Sequence, residues 1–160
     1  VVLQPRFSAS RFWDVAVRNK SSWHSTVPFC LKALAQQPVP DKHFFRMWGT
    51  SANELPFDQL FRIRSIGWWG MTETITQGIV GDVHLRNPTM TIGRPAPAYG
   101  IRILNEDRKP VRGGETGHLE CFGIRGLQLF AEYIPTSPDS CPRRSMDTVI
   151  RTVLPIALAN

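Results

Sequence analysis

A chain of 160 residues, 42% hydrophobic and 20% charged, is long enough to bury a core and lies outside the compositional range of disordered proteins. Its net charge of +6 comes from 19 basic and 13 acidic residues without a dense basic run, which argues against nucleic-acid binding. No run approaches the ~20 apolar residues of a membrane span, and the spacing of the 3 cysteines and 4 histidines suggests neither a disulfide framework nor a zinc site.

Ser8-Ala9-Ser10 stands ahead of Phe12, Trp13, Ala16 and Val17 at helical spacing, which predicts a serine-capped amphipathic helix ending near Lys20-Ser21-Ser22. Residues 23–27 are short and partly β-branched, as in a strand. Pro28 suits the first turn of a helix through Leu31, Leu34 and Ala35, stopped by Pro38 and Pro40. Phe44-Phe45-Arg46-Met47-Trp48 reads as a buried strand entering a turn of small residues, Gly49-Thr50-Ser51-Ala52, and residues 56–61 as a short helix. Residues 64–69 form the next strand, which runs into Trp68-Trp69-Gly70-Met71-Thr72-Glu73-Thr74. Strands alternating with helices predict an α/β layer with parallel strands, whose ligands gather at the carboxyl ends, where both turns lie.

From Gly93 the texture changes. Gly93-Arg94-Pro95-Ala96-Pro97 is a rigid connector, Ile101 to Leu104 alternates like a half-exposed strand, and Asn105 to Lys109 supplies turn chemistry. His118 to Phe122 alternates again, so an antiparallel, meander-like unit is expected. The tail from Ile134 is rich in proline, serine and arginine and looks loose until Val149-Ile150-Arg151-Thr152-Val153-Leu154. The expected organisation is an α/β part over residues 1–92, a β-rich segment over 93–133 and an atypical tail over 134–160.

Taken singly, Trp68 and Trp69 read as core residues, and Glu73 as a solvated loop charge. Taken in order, three motifs resemble the adenylate-forming, AMP-binding acyl-CoA synthetases. Trp69-Gly70-Met71-Thr72-Glu73-Thr74 is similar to that family's aromatic-Gly-x-Thr-Glu motif, Gly93-Arg94-Pro95 to its Gly-Arg-Pro connector, and Gly114-Glu115-Thr116-Gly117-His118-Leu119 to its Gly-Glu-x-Gly-Glu-Leu segment. The resemblance covers about residues 6–133. It implies part of the large N-terminal domain of such a ligase, a parallel α/β layer followed by an antiparallel β-barrel-like unit. The implied reaction joins ATP and a carboxylic acid into an acyl-adenylate, which coenzyme A then attacks.

By the same resemblance, Glu73 matches the magnesium-coordinating glutamate and Thr72 the threonine that hydrogen-bonds a nucleotide phosphate. Trp69 stands where tyrosine is usual and offers an indole face to adenine. Gly70 leaves the backbone open for a ligand, and Thr50, Ser51 and Ala52 match a turn whose backbone lies against adenine. The tract Trp23-His24-Ser25-Thr26-Val27-Pro28 is similar to the segment that borders the acyl pocket. His118 and Glu115 are expected to be structural.

The pattern also breaks. Nothing in residues 1–22 matches the family's Ser/Thr/Gly-rich phosphate loop, and no Thr-Gly-Asp follows Tyr133. The first residue is Val1, not methionine, so the expectation is an internal segment of a longer protein, cytoplasmic by default. A changed reading frame, a splice variant or an inaccurate gene model is the hypothesis for the tail; sequencing the transcript across the codons for Tyr133 and Ile134 tests it. Lineage and competence therefore separate: a carboxylate–CoA ligase by lineage, or a noncatalytic remnant that binds nucleotide weakly or associates with another protein.

Overall fold

The computed structural model describes residues 1–132 and the strand Val149–Ala157. The chain forms two units: Val1–Trp69 with Val80–Arg94, and Gly70–Ile79 with Pro95–Asn160.

The first unit runs α1 (Ala9–Arg18), β1 (Trp23–Ser25), α2 (Pro28–Leu34), β2 (Met47–Thr50), α3 (Phe57–Phe61) and β3 (Arg64–Trp69). The strands β1, β2 and β3 pair in parallel, with Trp23 opposite Met47, Ser25 opposite Gly49, Met47 opposite Arg64 and Thr50 opposite Gly67. The sheet order is β1-β2-β3-β4-β5, where β4 (Ile79–Val80) and β5 (Arg94–Pro95) are two-residue strands. The register puts His24, Trp48 and Ser65 in one row. Trp48 on that face is fully buried in a cluster with Trp13, Ala16, Leu31, Leu34, Phe45, Phe61 and Ile63. Its indole N–H is satisfied at 3.2 Å by the Ser65 hydroxyl. The core of this unit is therefore aromatic, with the rings of Phe45 and Phe61 standing 6.0 and 5.1 Å from that of Trp48.

Two details depart from the sequence expectation. Ser8 has the extended backbone of a helix N-cap (φ −142°), but its side chain caps no N–H and lies 3.3 Å from the Ser10 hydroxyl. The helix is held instead by the face that buries Trp13, Val15 and Ala16. The second strand begins at Met47, not Phe44, and continues through Gly49 and Thr50, which the sequence assigns to a turn. A ladder needs neighbours: only residues 47–50 have partners on β3, and β1 itself starts opposite Met47.

The second unit contains the strands β6 (Gly100–Leu104), β7 (Thr116–Phe122) and β8 (Val149–Ala157), an antiparallel sheet in the order β6-β7-β8. Gly100 pairs with Phe122 and Leu104 with His118, and the Arg102 guanidinium stands 4.0 Å over the Phe122 ring. The β6–β7 connection uses the expected turn chemistry: the Asn105 side-chain oxygen accepts the Lys109 N–H at 2.9 Å. His118 Nε2 lies 2.9 Å from a Glu106 carboxylate oxygen, and a Glu115 carboxylate oxygen accepts the Arg112 N–H at 2.8 Å. Both are ties within the turn region and its strand.

Candidate functional site

At the exit of β3 the backbone is fixed by Asn53, which is wholly buried in the loop after β2. Its side-chain oxygen accepts the Gly67 N–H at 2.7 Å, its amide donates to the Thr91 carbonyl at 2.8 Å, and its own backbone N–H donates to the same carbonyl at 2.7 Å. Arg64, at the other end of β3, pairs with Glu54 at 2.9 Å and donates to the carbonyls of Asp82, Val83 and Leu85. One planar fork thus ties a strand end to a loop. Gly93, at φ +121°, occupies backbone space where a Cβ would come 2.3 Å from the Val80 carbonyl carbon, so only glycine fits.

Trp69 is the last residue of β3 and is half-buried. Trp68, one residue earlier, lies against Gly49, where a Cβ would meet the indole at 2.2 Å, and its ring sits 5.6 Å from that of Trp23. Thr50 closes β2 and is fully buried, and its hydroxyl has no hydrogen-bond partner among the described residues. Ser51 is exposed and Ala52 is buried.

In the second unit, Met71 to Thr74 make a closed turn. The Thr74 N–H donates to the Met71 carbonyl at 3.0 Å; the Thr74 hydroxyl donates to that carbonyl at 2.8 Å and accepts the Met71 N–H at 2.9 Å. Thr72 and Glu73 are the two central residues, the first exposed and the second half-buried. The turn is braced from residues 128–130: Phe130 N–H donates to the Glu73 carbonyl at 2.9 Å and Ile75 N–H to the Gln128 carbonyl at 3.0 Å. Tyr99, also buried, donates its hydroxyl to the Gln128 carbonyl at 2.8 Å and accepts the Thr76 N–H at 3.3 Å. The bare face of Gly70 is occupied from within this unit, since a Cβ there would come 2.6 Å from the Gln77 amide oxygen.

The sequence residues therefore divide. Gly70, Thr72 and Glu73 belong to one hydrogen-bonded turn, Trp69 ends the strand that leads into it, and Thr50, Ser51 and Ala52 lie at the end of β2. The residues that hold this framework, Asn53, Thr74, Tyr99 and Gln128, carried no assigned role in the sequence. Thr74 had a signal, a hydroxyl spaced three residues from Met71 as in a side-chain-closed turn. Among the described residues no three His, Cys, Asp or Glu side chains gather to hold a metal. Glu73 alone suits only an ion that takes one or two protein carboxylates and completes its shell with phosphate oxygens and water, as Mg²⁺ does. Among the described residues, no helix is long and apolar enough to cross a membrane.

Parallel strands joined through helices define an α/β protein. The chain belongs to the family described as AMP-binding enzymes, whose profile matches residues 1–134. This is a family of adenylate-forming acyl- and aryl-CoA ligases. A crotonobetaine/carnitine–CoA ligase of Salmonella paratyphi C (strain RKS4594) is 32% identical over 141 residues, which cover 82% of this chain and 27% of the relative. The chain thus spans about a quarter of that protein's length. An anthranilate CoA ligase in complex with anthranoyl-AMP shares the fold at a TM-score of 0.76 and 18% identity, over 94% of this chain and 30% of that one. O-succinylbenzoate coenzyme A synthetase from Bacillus subtilis, in complex with ATP and magnesium ion, matches at a TM-score of 0.60 and 21% identity, over 76% of this chain and 27% of that one. The architecture expected from the sequence is that of adenylate-forming ligase N-terminal domains.

Proposed function

We propose that this chain carries the adenine- and phosphate-facing part of an ATP-dependent carboxylate–CoA ligase. The supporting observation is the closed Met71–Thr74 turn, which leaves Thr72 exposed and Glu73 half-buried directly after β3. Trp69 offers a flat apolar face to the base, and the backbone at Thr50, Ser51 and Ala52 lies along it. The Thr72 hydroxyl donates to a nucleotide phosphate oxygen. Glu73 supplies a hard anionic oxygen to Mg²⁺, and that ion, when bound, offsets the charge of the triphosphate. A substrate carboxylate oxygen attacks the α-phosphorus and pyrophosphate leaves; the coenzyme A thiol then attacks the acyl carbon and AMP leaves. Residues 23–28 border the acid.

A second reading, a noncatalytic remnant that binds nucleotide, is favoured by the family match ending at residue 134 while the chain continues to residue 160. Isotopic pyrophosphate exchange with a panel of carboxylic acids separates the two. Exchange abolished by Glu73→Ala supports the ligase, whereas saturable AMP binding without exchange supports the remnant. Nucleotide binding that is insensitive to both Trp69→Ala and Glu73→Ala would sink the assignment of these residues.

A further inference from the structure

The first unit has an open cleft of about 370 Å³ at the start of β3, lined by Arg64. Trp69 ends the same six-residue strand, about 16 Å away. The volume falls within the range of small-molecule sites, about 300–1,000 Å³, which are lined mostly by apolar side chains. This lining is the reverse. Among the described residues around the cleft only Ile63 is apolar, while Arg62, Arg64, His84 and Arg86 all face it.

The segment that carries His84 and Arg86 is held in place by its own hydrogen bonds. An Asp82 carboxylate oxygen accepts the N–H groups of His84 and Leu85 at 2.8 and 2.9 Å. The Asn87 side chain accepts the Asp82 N–H at 2.7 Å and donates to the Asp82 carbonyl at 2.9 Å. Arg64 gathers the carbonyls of Asp82, Val83 and Leu85 from beneath. A ligand therefore meets a loop already ordered, which lowers the entropic cost of binding. Arg62 closes α3 in the left-handed region, at φ +54°, a position that favours glycine or asparagine. Its Nη2 donates to the carbonyls of Pro40 at 2.5 Å and Asp41 at 3.2 Å.

The two carboxylates at the cleft are already engaged. Asp58 accepts the Ser65 N–H at 2.8 Å and the Ser65 hydroxyl at 2.5 Å, and Glu54 Oε1 takes the Arg64 Nε–H at 2.9 Å. The donors are not. Among the described residues, the Arg86 guanidinium, the His84 ring and the Gln59 amide have no hydrogen-bond or salt-bridge partner, and the bonds of Arg62 to two carbonyls leave its Nε and Nη1 unused and its charge uncompensated. Guanidinium forks match the oxygens of a phosphate group. We infer that this cleft binds the phosphate group of a small polar molecule, with Arg62 and Arg86 taking the phosphate oxygens, and Glu54 Oε2 and the Gln59 amide taking hydroxyls of the body that carries it. The inference goes beyond the nucleotide reading and does not depend on it.

Amide chemical-shift titration of the full chain at fixed ionic strength tests it, with inorganic phosphate, ribose 5-phosphate and ribose as probes. Both phosphates should saturate and move the amides of residues 59–62 and 84–86, ribose 5-phosphate the more tightly, while ribose alone should not bind. Arg86 is exposed, so Arg86→Gln should keep the fold, which the amides of Trp48 and Ile66 report, and weaken ribose 5-phosphate by about tenfold or more, the factor for a lost charge-assisted hydrogen bond. Trp69→Ala and Glu73→Ala should leave this binding unchanged, so its fate is separate from that of the nucleotide assignment. Unsaturating responses to both phosphates, ribose binding as well as its phosphate, or an Arg86→Gln variant that binds like the parent would overturn the inference. A hexaglutamate peptide that bound more tightly than ribose 5-phosphate would also overturn it, in favour of an acidic polypeptide.

Discussion

Replacing Thr74 with valine keeps the shape of a side chain that is only 6% exposed and removes one oxygen. That oxygen serves Met71 twice, accepting its N–H at 2.9 Å and donating to its carbonyl at 2.8 Å. The Met71 carbonyl keeps a partner, the Thr74 N–H at 3.0 Å, so its loss is small. The Met71 N–H loses its acceptor. An unsatisfied buried donor costs about 1–3 kcal/mol, and because Met71 is only half-buried the lower part of that range, about 1–2 kcal/mol, applies. That corresponds to a factor of roughly 5–30 in the ratio of closed to open turn. Two measurements read it: exchange of the Met71 amide, which should quicken by that factor, and ATP affinity in the presence of Mg²⁺, which should weaken by no more than it. Thr74→Ser keeps the oxygen and should behave like the parent. If serine were as damaging as valine, or if valine left Met71 exchange unchanged, the hydroxyl would not be what closes the turn.

Trp48→Ala removes the largest fully buried side chain of the first unit and should cost about 3–5 kcal/mol, a large fraction of an ordinary domain's stability, as urea titration would record. Asn53→Ala orphans the buried Gly67 N–H and should cost about 1–3 kcal/mol, seen as faster exchange at Gly67 while Thr91 keeps the bond to the residue 53 backbone. Burial among Phe12 and Phe45 pushes His24 below its ordinary value of 6.5, so the unfolded chain binds the proton first. Stability should be full above that value and fall as pH drops below it, and His24→Phe should flatten this part of the melting-temperature profile. Asp58, raised from 3.8 chiefly by burial, acts in the opposite sense at more acidic pH: its contribution is present below the ordinary value and lost as pH rises through the shifted one.

What could be read from the sequence was what repeats locally. The strand over residues 64–69 emerged with both ends in place, because Ile66, Trp68 and Trp69 stand directly ahead of the break at Gly70. The helix Pro28–Leu34 was marked by its own proline. The start of β2 was not legible, since Phe44 and Phe45 are as apolar as Met47 and Trp48 and only the neighbours' register decides between them. Asn53 and Tyr99 escaped notice for the same reason: their partners lie 38 and 29 residues away, at Thr91 and Gln128. The turn was visible as a motif, Thr72 and Glu73, while the hydroxyl that closes it was one more threonine in the string.

The motif that first marks this chain is divided by a single peptide bond. Up to Trp69 its position is set by the first unit, where Asn53 holds Gly67 and Arg64 anchors the start of β3. From Gly70 it is set by the second, where Thr74 closes the turn and Tyr99 holds Gln128 against it. The hydrogen bonds described for Asn53 and those described for Thr74 share no side chain. Residues without a common partner have additive energies. Damage at Asn53 should consequently leave the Met71 amide as protected as before, and damage at Thr74 should leave Gly67 protected. In the double variant Asn53→Ala/Thr74→Val, each amide should exchange as it does in the corresponding single variant, and a coupling above about 0.5 kcal/mol would show that one system depends on the other.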